Sequence, residues 1–282
     1  MKELHLIRKP IDKKEYVKRT ALVSDVSKIM SDDCIIYENG QPILFYTRLK
    51  EDTSALRWAA KNMKYPNGTR TNGLATQSKV FGYSPRIPMR NDYCTVASMA
   101  TQYPKNHHVI TTFAEQLKVY YETYFPQKYQ EHEDTVKEKV LEDWKMSNSP
   151  FTSGIVNKNN PLKYHYDSGN FKGMLSNMVV FKSDVEGGYL VIPELDLALE
   201  VADNTLTIFN GQDILHGVSP IDYKNPMAYR FSLVYYSLEQ MWKCEPIQGE
   251  IERVRKAKTK KEKNRLDPEH LASLTKQFKK NK

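Results

Sequence analysis

His165, Asp167, His216 and Arg230 are the residues of this 282-residue chain whose types and spacing could do redox chemistry at a metal. Two imidazoles and one carboxylate on one side of an ion leave the opposite positions open for oxygen and an organic cosubstrate, which is the donor set of non-haem Fe(II). His165-Tyr166-Asp167 supplies two of the three from one strand, because side chains two apart on an extended segment project to the same side while Tyr166 turns away. His216 lies in the apolar stretch Asp213-Ile214-Leu215-His216-Gly217-Val218, which could bring it across a barrel to the same ion. In Tyr229-Arg230-Phe231-Ser232-Leu233-Val234-Tyr235-Tyr236 the same alternation puts Arg230, Ser232, Val234 and Tyr236 on one face. An arginine in the middle of an apolar strand is costly to bury unpartnered. Its planar fork fits a carboxylate, the Ser232 hydroxyl offers a second donor, and the natural partner is the distal carboxylate of 2-oxoglutarate.

A lone His-x-Asp is weak evidence, since such tripeptides arise by chance and decorate turns. The weight comes from the order His-x-Asp, then His, then Arg-x-Ser on successive predicted strands, where ligand types, facing and anchor agree. His107-His108 precedes a predicted helix and reads as solvated or capping, and His5, His132 and His270 in charged surroundings read the same way.

The elements that must position these residues change character along the chain. Residues 34 to 48 read as a hairpin turning at Asn39-Gly40, and Thr53 to Met63 as a helix. Tyr65 to Met89, rich in Gly, Pro, Asn and Thr, reads as an irregular segment that could cover the site; Arg70, Arg86 and Arg90 could reach a phosphate or the cosubstrate's other end, against a plain surface role for any one of them. His108 to Tyr124 carries a helical stripe of Val109, Phe113, Leu117 and Tyr120-Tyr121, and Glu131 to Trp144 continues as a second helix. From Phe151 the pattern becomes β: 152–156, 174–181, 189–193, 198–201, 206–210, 214–218 and 229–237 are short runs divided by Asn, Gly, Pro and Asp. Strands so spaced predict an α+β protein with a barrel or sandwich core, buttressed by N-terminal helices and followed by a basic C-terminal tail; a double-stranded β-helix, the jelly-roll of cupins, is the form that would place a metal in its mouth. The expected organisation is 1–50 as an N-terminal hairpin and extension, 51–150 as a helical and loop support, 151–243 as the catalytic core and 244–282 as the tail.

Bulk properties narrow the setting. The 40% hydrophobic content is enough for a sizeable core. Cys34, Cys94 and Cys244 are odd in number and lack paired metal spacing, which predicts reduced thiols and an intracellular location, cytoplasmic or nuclear. With no apolar signal core and no run near the roughly 20 residues that cross a bilayer, no membrane association is expected, and the Asn67-Gly68-Thr69 sequon reads as silent. The net charge is +8, and residues 250 to 282 hold twelve Lys or Arg against five Asp or Glu, so the tail carries nearly all of it. Its basic run, Arg253 to Arg265, ends at Asp267-Pro268, a helix-start signal for a short helix bearing Leu271, Leu274 and Phe278. Such a segment suits sequence-blind phosphate contacts; its bland reading is a solvated tail.

Residues from about Arg57 to Tyr236 resemble the TET/J-binding-protein family, iron and 2-oxoglutarate dioxygenases that oxidise the 5-methyl group of pyrimidines in DNA. The resemblance rests on His165-Tyr166-Asp167-Ser168-Gly169-Asn170, on Glu186-Gly187-Gly188-Tyr189-Leu190-Val191-Ile192-Pro193 as a Gly-Gly hairpin, and on Arg230-Phe231-Ser232-Leu233-Val234-Tyr235-Tyr236. It implies that His165, Asp167 and His216 hold Fe(II), that Arg230 binds 2-oxoglutarate, that O2 is the oxidant, and that Asn170 and Tyr236 lie near the target base. Animal members carry a histidine two positions after the tyrosine, where this chain has Leu238, so 5-methylcytosine and thymine both stay open as substrates. The expected reaction is methyl hydroxylation on a base flipped from the duplex, with DNA as partner and no protein partner implied. A 2-oxoglutarate hydroxylase of a free nucleotide or small metabolite, and a non-catalytic cupin-like metal-binding module, are the competing readings.

Overall fold

In this computed structural model, which describes residues 1–69, 75–86, 93–267 and 269, the chain folds into two large sheets, a two-stranded ladder of Val185–Gly187 with Ile221–Tyr223, and a layer of helices. The strands before the helical region are β1 (Lys2–His5), β2 (Lys28–Met30), β3 (Cys34–Glu38), β4 (Gln41–Arg48), β5 (Asn67–Thr69), β6 (Ala75–Ser84) and β7 (Thr95–Val96). After it come β8 (Ser153–Lys158), β9 (Leu162–His165), β10 (Ser176–Ser183), β11 (Val185–Gly187), β12 (Leu190–Ile192) and β13 (Leu197–Leu199). The last are β14 (Thr205–Phe209), β15 (His216–Val218), β16 (Ile221–Tyr223) and β17 (Tyr229–Tyr236). The helices are α1 (Lys13–Tyr16), α2 (Ser54–Lys61), α3 (Met99–Gln102), α4 (Pro104–Thr112), α5 (Ala114–Tyr124), α6 (Pro126–Lys139) and α7 (Ile247–Leu266).

The larger sheet runs β1-β3-β4-β14-β10-β17-β8-β6-β5, with β7 on β6, and the smaller runs β2-β13-β12-β15-β9. The central strands of the larger sheet, β14, β10 and β17, are buried on both faces, and their two-residue period sorts the side chains into two cores. Phe45, Val179, Phe181, Leu206, Ile208, Phe231, Leu233 and Tyr235 face Leu56 of α2, Ile110 of α4 and Leu117 and Tyr121 of α5. Leu44, Tyr46, Met178, Val180 and Phe209 point the other way, against Leu190, Ile192, Leu197 and Leu199 of the smaller sheet. On β17 this rule turns Arg230, Ser232, Val234 and Tyr236 toward the space between the sheets. Fully burying Phe231, Leu233 and Tyr235 on the helix face stabilises by about 1.5–3 kcal/mol each, enough to hold a strand that carries a buried arginine on its other face.

The hairpin at Asn39-Gly40 forms as expected, with both residues at positive φ (51° and 75°), and it extends the larger sheet past β14. The stripe from His108 to Tyr124 is divided at Phe113 into α4 and α5, but Leu117 and Tyr121 are buried as read.

Four expectations are corrected. The segment from Tyr65 is not irregular throughout: β6 pairs with β8 over Ser78–Gly82, because its backbone completes an edge that β8 leaves open. Cys94 and Cys244 are not free thiols but form a disulfide across 150 residues, leaving Cys34 as the buried free cysteine. His132 is buried rather than solvated: α6 turns it inward, where its ring lies 5.9 Å from Tyr121 and Phe151 and 5.7 Å from Phe171. The basic run is not a loose tail but most of α7, which starts at Ile247 and ends at the Asp267 cap. The helix expected after Pro268, with Leu271, Leu274 and Phe278, and His270 lie outside the described residues. Among the described residues no helix is long and apolar enough to cross a membrane.

Candidate metal centre

β9 and β15 are antiparallel neighbours, and their register pairs His165 directly with His216. The two histidines therefore meet side by side on one sheet rather than across a barrel. β9 ends at His165, so Asp167 sits just beyond it, with its backbone N–H bonded to the Gly211 carbonyl at 2.8 Å. His165 Nε2 and His216 Nε2 lie 3.6 and 3.8 Å from Asp167 Oδ1, and one donor atom from each residue falls within 4.8 Å of the others.

The imidazoles are oriented alike. His165 Nδ1 donates to the Lys163 carbonyl at 2.8 Å and His216 Nδ1 to the Ile214 carbonyl at 2.9 Å. A proton fixed on each Nδ1 leaves each Nε2 lone pair facing Asp167, which is how metal-binding histidines are held. Burial pulls His216 down to about 4 despite the neighbouring Asp167, so its ring is neutral near pH 7 and ready to ligate. Gly211 has no Cβ for a reason: one there would lie 2.2 Å from Asp167 Oδ2 and 3.1 Å from His216 Cε1. Two imidazoles, one carboxylate and a notched backbone fit a metal of the non-haem iron type.

A cavity of about 290 Å³ opens on this cluster and is lined by Asn157, Asn170, Ser176, Ser232, Val234, Tyr236 and Leu238 among others. Arg230, one pleat from Ser232 on the same strand face, is 2% exposed, and its Nε and Nη2 are buried without a hydrogen-bond partner. Burial lowers its guanidinium to about 10, still well above neutral, so a full charge is held unsatisfied. Such a group is costly unless something binds it, which fits an anionic cosubstrate. Room for it comes from Gly188, where a Cβ would lie 2.9 Å from Arg230 Cδ and Nε. Ser232 Oγ accepts from Asn157 Nδ2 at 3.4 Å, which leaves its own proton for donation.

Asn170 is buried and donates to Ser176 Oγ at 3.3 Å, while its backbone bridges Leu238. Arg86 is brought elsewhere: Nη2 pairs with Glu250 at 2.5 Å and Glu245 at 3.0 Å at the base of α7. Arg70 and Arg90 lie outside the described residues. Of the other histidines, His107 Nε2 accepts the Gly82 N–H at 3.1 Å, His108 is exposed, and His5 stacks on Tyr37. Sequence reading missed Gly211, Gly188's service to Arg230, and Asn157. Only a glycine two residues past a strand end, or a second glycine in the Gly-Gly pair, hinted at the first two.

Residues 88–239 match the Tet_JBP family model, the oxygenase domain of the 2OGFeDO superfamily. The chain belongs to this family. As a Tet_JBP oxygenase it is an Fe(II)- and 2-oxoglutarate-dependent dioxygenase that uses O2. Among solved structures, NgTET1 in complex with 5mC DNA is similar, with 12% identity and a TM-score of 0.58 over 84% of this chain and 88% of that one, so the two share a fold. A 2OG-Fe(II) oxygenase-family oxidoreductase from Burkholderia pseudomallei matches at 10% identity and TM-score 0.46, over 84% of this chain and 94% of that one. OsALKBH1 matches at 15% and 0.40, over 70% and 97%. No curated protein matches the chain.

Proposed function

We propose that this Tet_JBP oxygenase oxidises the 5-methyl group of a pyrimidine in DNA, converting 5-methylcytosine to 5-hydroxymethylcytosine and onward, within a double-stranded β-helix core spanning 151–243. The observation that carries the reading is the cavity that His165, Asp167 and His216 line together with Asn170 and Tyr236. In this reading the first three would hold iron, which when bound would supply oxidation of the methyl group by O2, coupled to oxidative decarboxylation of 2-oxoglutarate to succinate and CO2. Arg230 and Ser232 bind the distal carboxylate of 2-oxoglutarate, and Asn170 and Tyr236 orient the base. A methyl pyrimidine reaches the cavity only if flipped from its duplex, at a cost of roughly a few kcal/mol, and phosphate contacts must offset that.

The exposed ridge of α7 supports DNA as the partner. Arg255, Lys256, Lys258, Lys260 and Lys263 are exposed and make no ion pair among the described residues, while Glu250, Arg253, Val254 and Ala257 turn toward the body. The disulfide roots the start of the helix in the cluster that includes Cys94, Cys244, Tyr236 and Leu238. The 5mC DNA bound by the similar NgTET1 structure supports the same choice. Thymine is the second reading, because Leu238 lines the cavity and offers no donor or acceptor to tell an amino group from a carbonyl.

The test is mass spectrometry of nucleosides from methylated and unmethylated DNA incubated with the protein, Fe(II) and 2-oxoglutarate, beside a His165→Ala control. 5-Hydroxymethylcytosine from methylated DNA supports the first reading and 5-hydroxymethyluracil the second. If both are missing and the control gives the same blank, DNA oxidation is refuted.

A further inference from the structure

Glu194 lies in the short helical turn Pro193–Leu195 that follows β12 and is 6% exposed. A carboxylate this buried is costly unless both oxygens are satisfied. Oε1 accepts the Tyr166 hydroxyl at 3.0 Å, and Oε2 accepts the backbone N–H of Leu215 at 3.2 Å. Tyr166 stands between His165 and Asp167, and Leu215 immediately precedes His216. One side chain from a third segment therefore ties together the two segments that bear the candidate ligands. The turn is itself anchored, since the Lys9 N–H donates to the Glu194 carbonyl at 2.7 Å, and the Tyr166 ring has the Lys13 ammonium 5.0 Å from its centre.

The sheet alone would hold the ligands less firmly. The β9–β15 ladder shifts register between His216 and Val218, and Asp167 lies past the end of β9. We propose that Glu194 is a positioning residue of the metal centre, its carboxylate fixing the spacing of the His165–Asp167 segment against His216. The inference rests on the reading of His165, Asp167 and His216 as the metal ligands. It assigns to Tyr166, whose hydroxyl is bonded to Glu194, the role of carrying that restraint.

Co(II) binding to the full chain tests it, by calorimetry and by the visible spectrum of the bound ion, with thermal unfolding measured alongside. Glu194→Ala is expected to weaken Co(II) binding about 10- to 100-fold and to alter the spectrum at saturation. Glu194→Gln should bind within about threefold of wild type, since its amide oxygen still accepts from Leu215 and its NH2 can donate to the Tyr166 oxygen. A merely structural role would lower the unfolding temperature and leave affinity and spectrum alone. A folded Glu194→Ala chain with wild-type affinity and spectrum overturns the proposal. If that variant does not fold, Tyr166→Phe decides, because it deletes one oxygen from a half-buried ring: weakened binding supports the proposal and unchanged binding refutes it. A wild-type chain that binds no Co(II) instead refutes the metal reading, and this inference with it.

Discussion

His165 and His216 face each other across the β9–β15 pair with ring centres 4.4 Å apart, each locked by a bond from Nδ1 to the carbonyl two residues before it. The lone pairs that could bind a metal are thus aimed by backbone geometry before any metal arrives.

That alignment depends on the notch at Gly211. Gly211→Ala would drive a methyl group into Asp167 Oδ2 and His216 Cε1, so the carboxylate or the loop must move. The expected outcome is a folded protein destabilised by about 1–3 kcal/mol with much weaker metal binding, read by urea unfolding and metal titration. Wild-type metal affinity in this variant would show that the three donors do not act as one site.

Arg230 carries a charge that the fold leaves unsatisfied. Arg230→Met should therefore stabilise the ligand-free protein, by about 1–4 kcal/mol if it follows other replacements of buried charges by apolar residues, while abolishing 2-oxoglutarate binding. Thermal shift measures both effects: saturating 2-oxoglutarate at 100 times Kd should stabilise wild type by about 2.7 kcal/mol and the variant not at all. Equal stabilisation of the two would remove Arg230 from the cosubstrate site.

His132 links stability to pH. Burial lowers it from 6.5 to about 3, so between those values the unfolded chain binds a proton that the folded chain does not. Its contribution is complete above pH 6.5 and is lost progressively as pH falls toward 3. Urea midpoints at pH 7.5 and pH 5 should differ less in His132→Phe than in wild type, because the variant keeps an aromatic ring among Tyr121, Phe151 and Phe171 but cannot titrate. The same pH dependence in both chains would contradict the buried, neutral histidine.

The Cys94–Cys244 link closes a loop with a sequence separation of 150. Loop-closure entropy sets an upper figure of about 5 kcal/mol for such a link, with about 2–4 kcal/mol typical. Cys244→Ser, or reduction of the wild type, should cost stability in that range and loosen the root of α7, where Glu250 accepts from the Cys94 N–H at 2.8 Å. Unfolding curves with and without reductant, together with hydrogen exchange of residues 245–260, measure the two effects. Identical curves would mean that the packing of Trp144, Phe171 and Met241 around the pair holds this corner alone.

The ligand types, their order and the facing of β17 were legible in the sequence, because a two-residue period sends Arg230, Ser232, Val234 and Tyr236 to one side and Phe231, Leu233 and Tyr235 to the other wherever the strand lies. The family resemblance was legible for the same reason, since it rests on short contiguous motifs that the match to residues 88–239 bears out. What the sequence could not fix is anything decided between distant segments. The register that sets His216 beside His165, the Gly211 notch under Asp167, the inward turn of His132 and the Glu194 bridge all join residues remote in the chain. The Cys94–Cys244 bond was missed because sequence counts cysteines, whereas a disulfide needs two Cα atoms at bridging distance, here 5.7 Å. Local pattern chose the groups that could do the chemistry, and tertiary packing chose their distances.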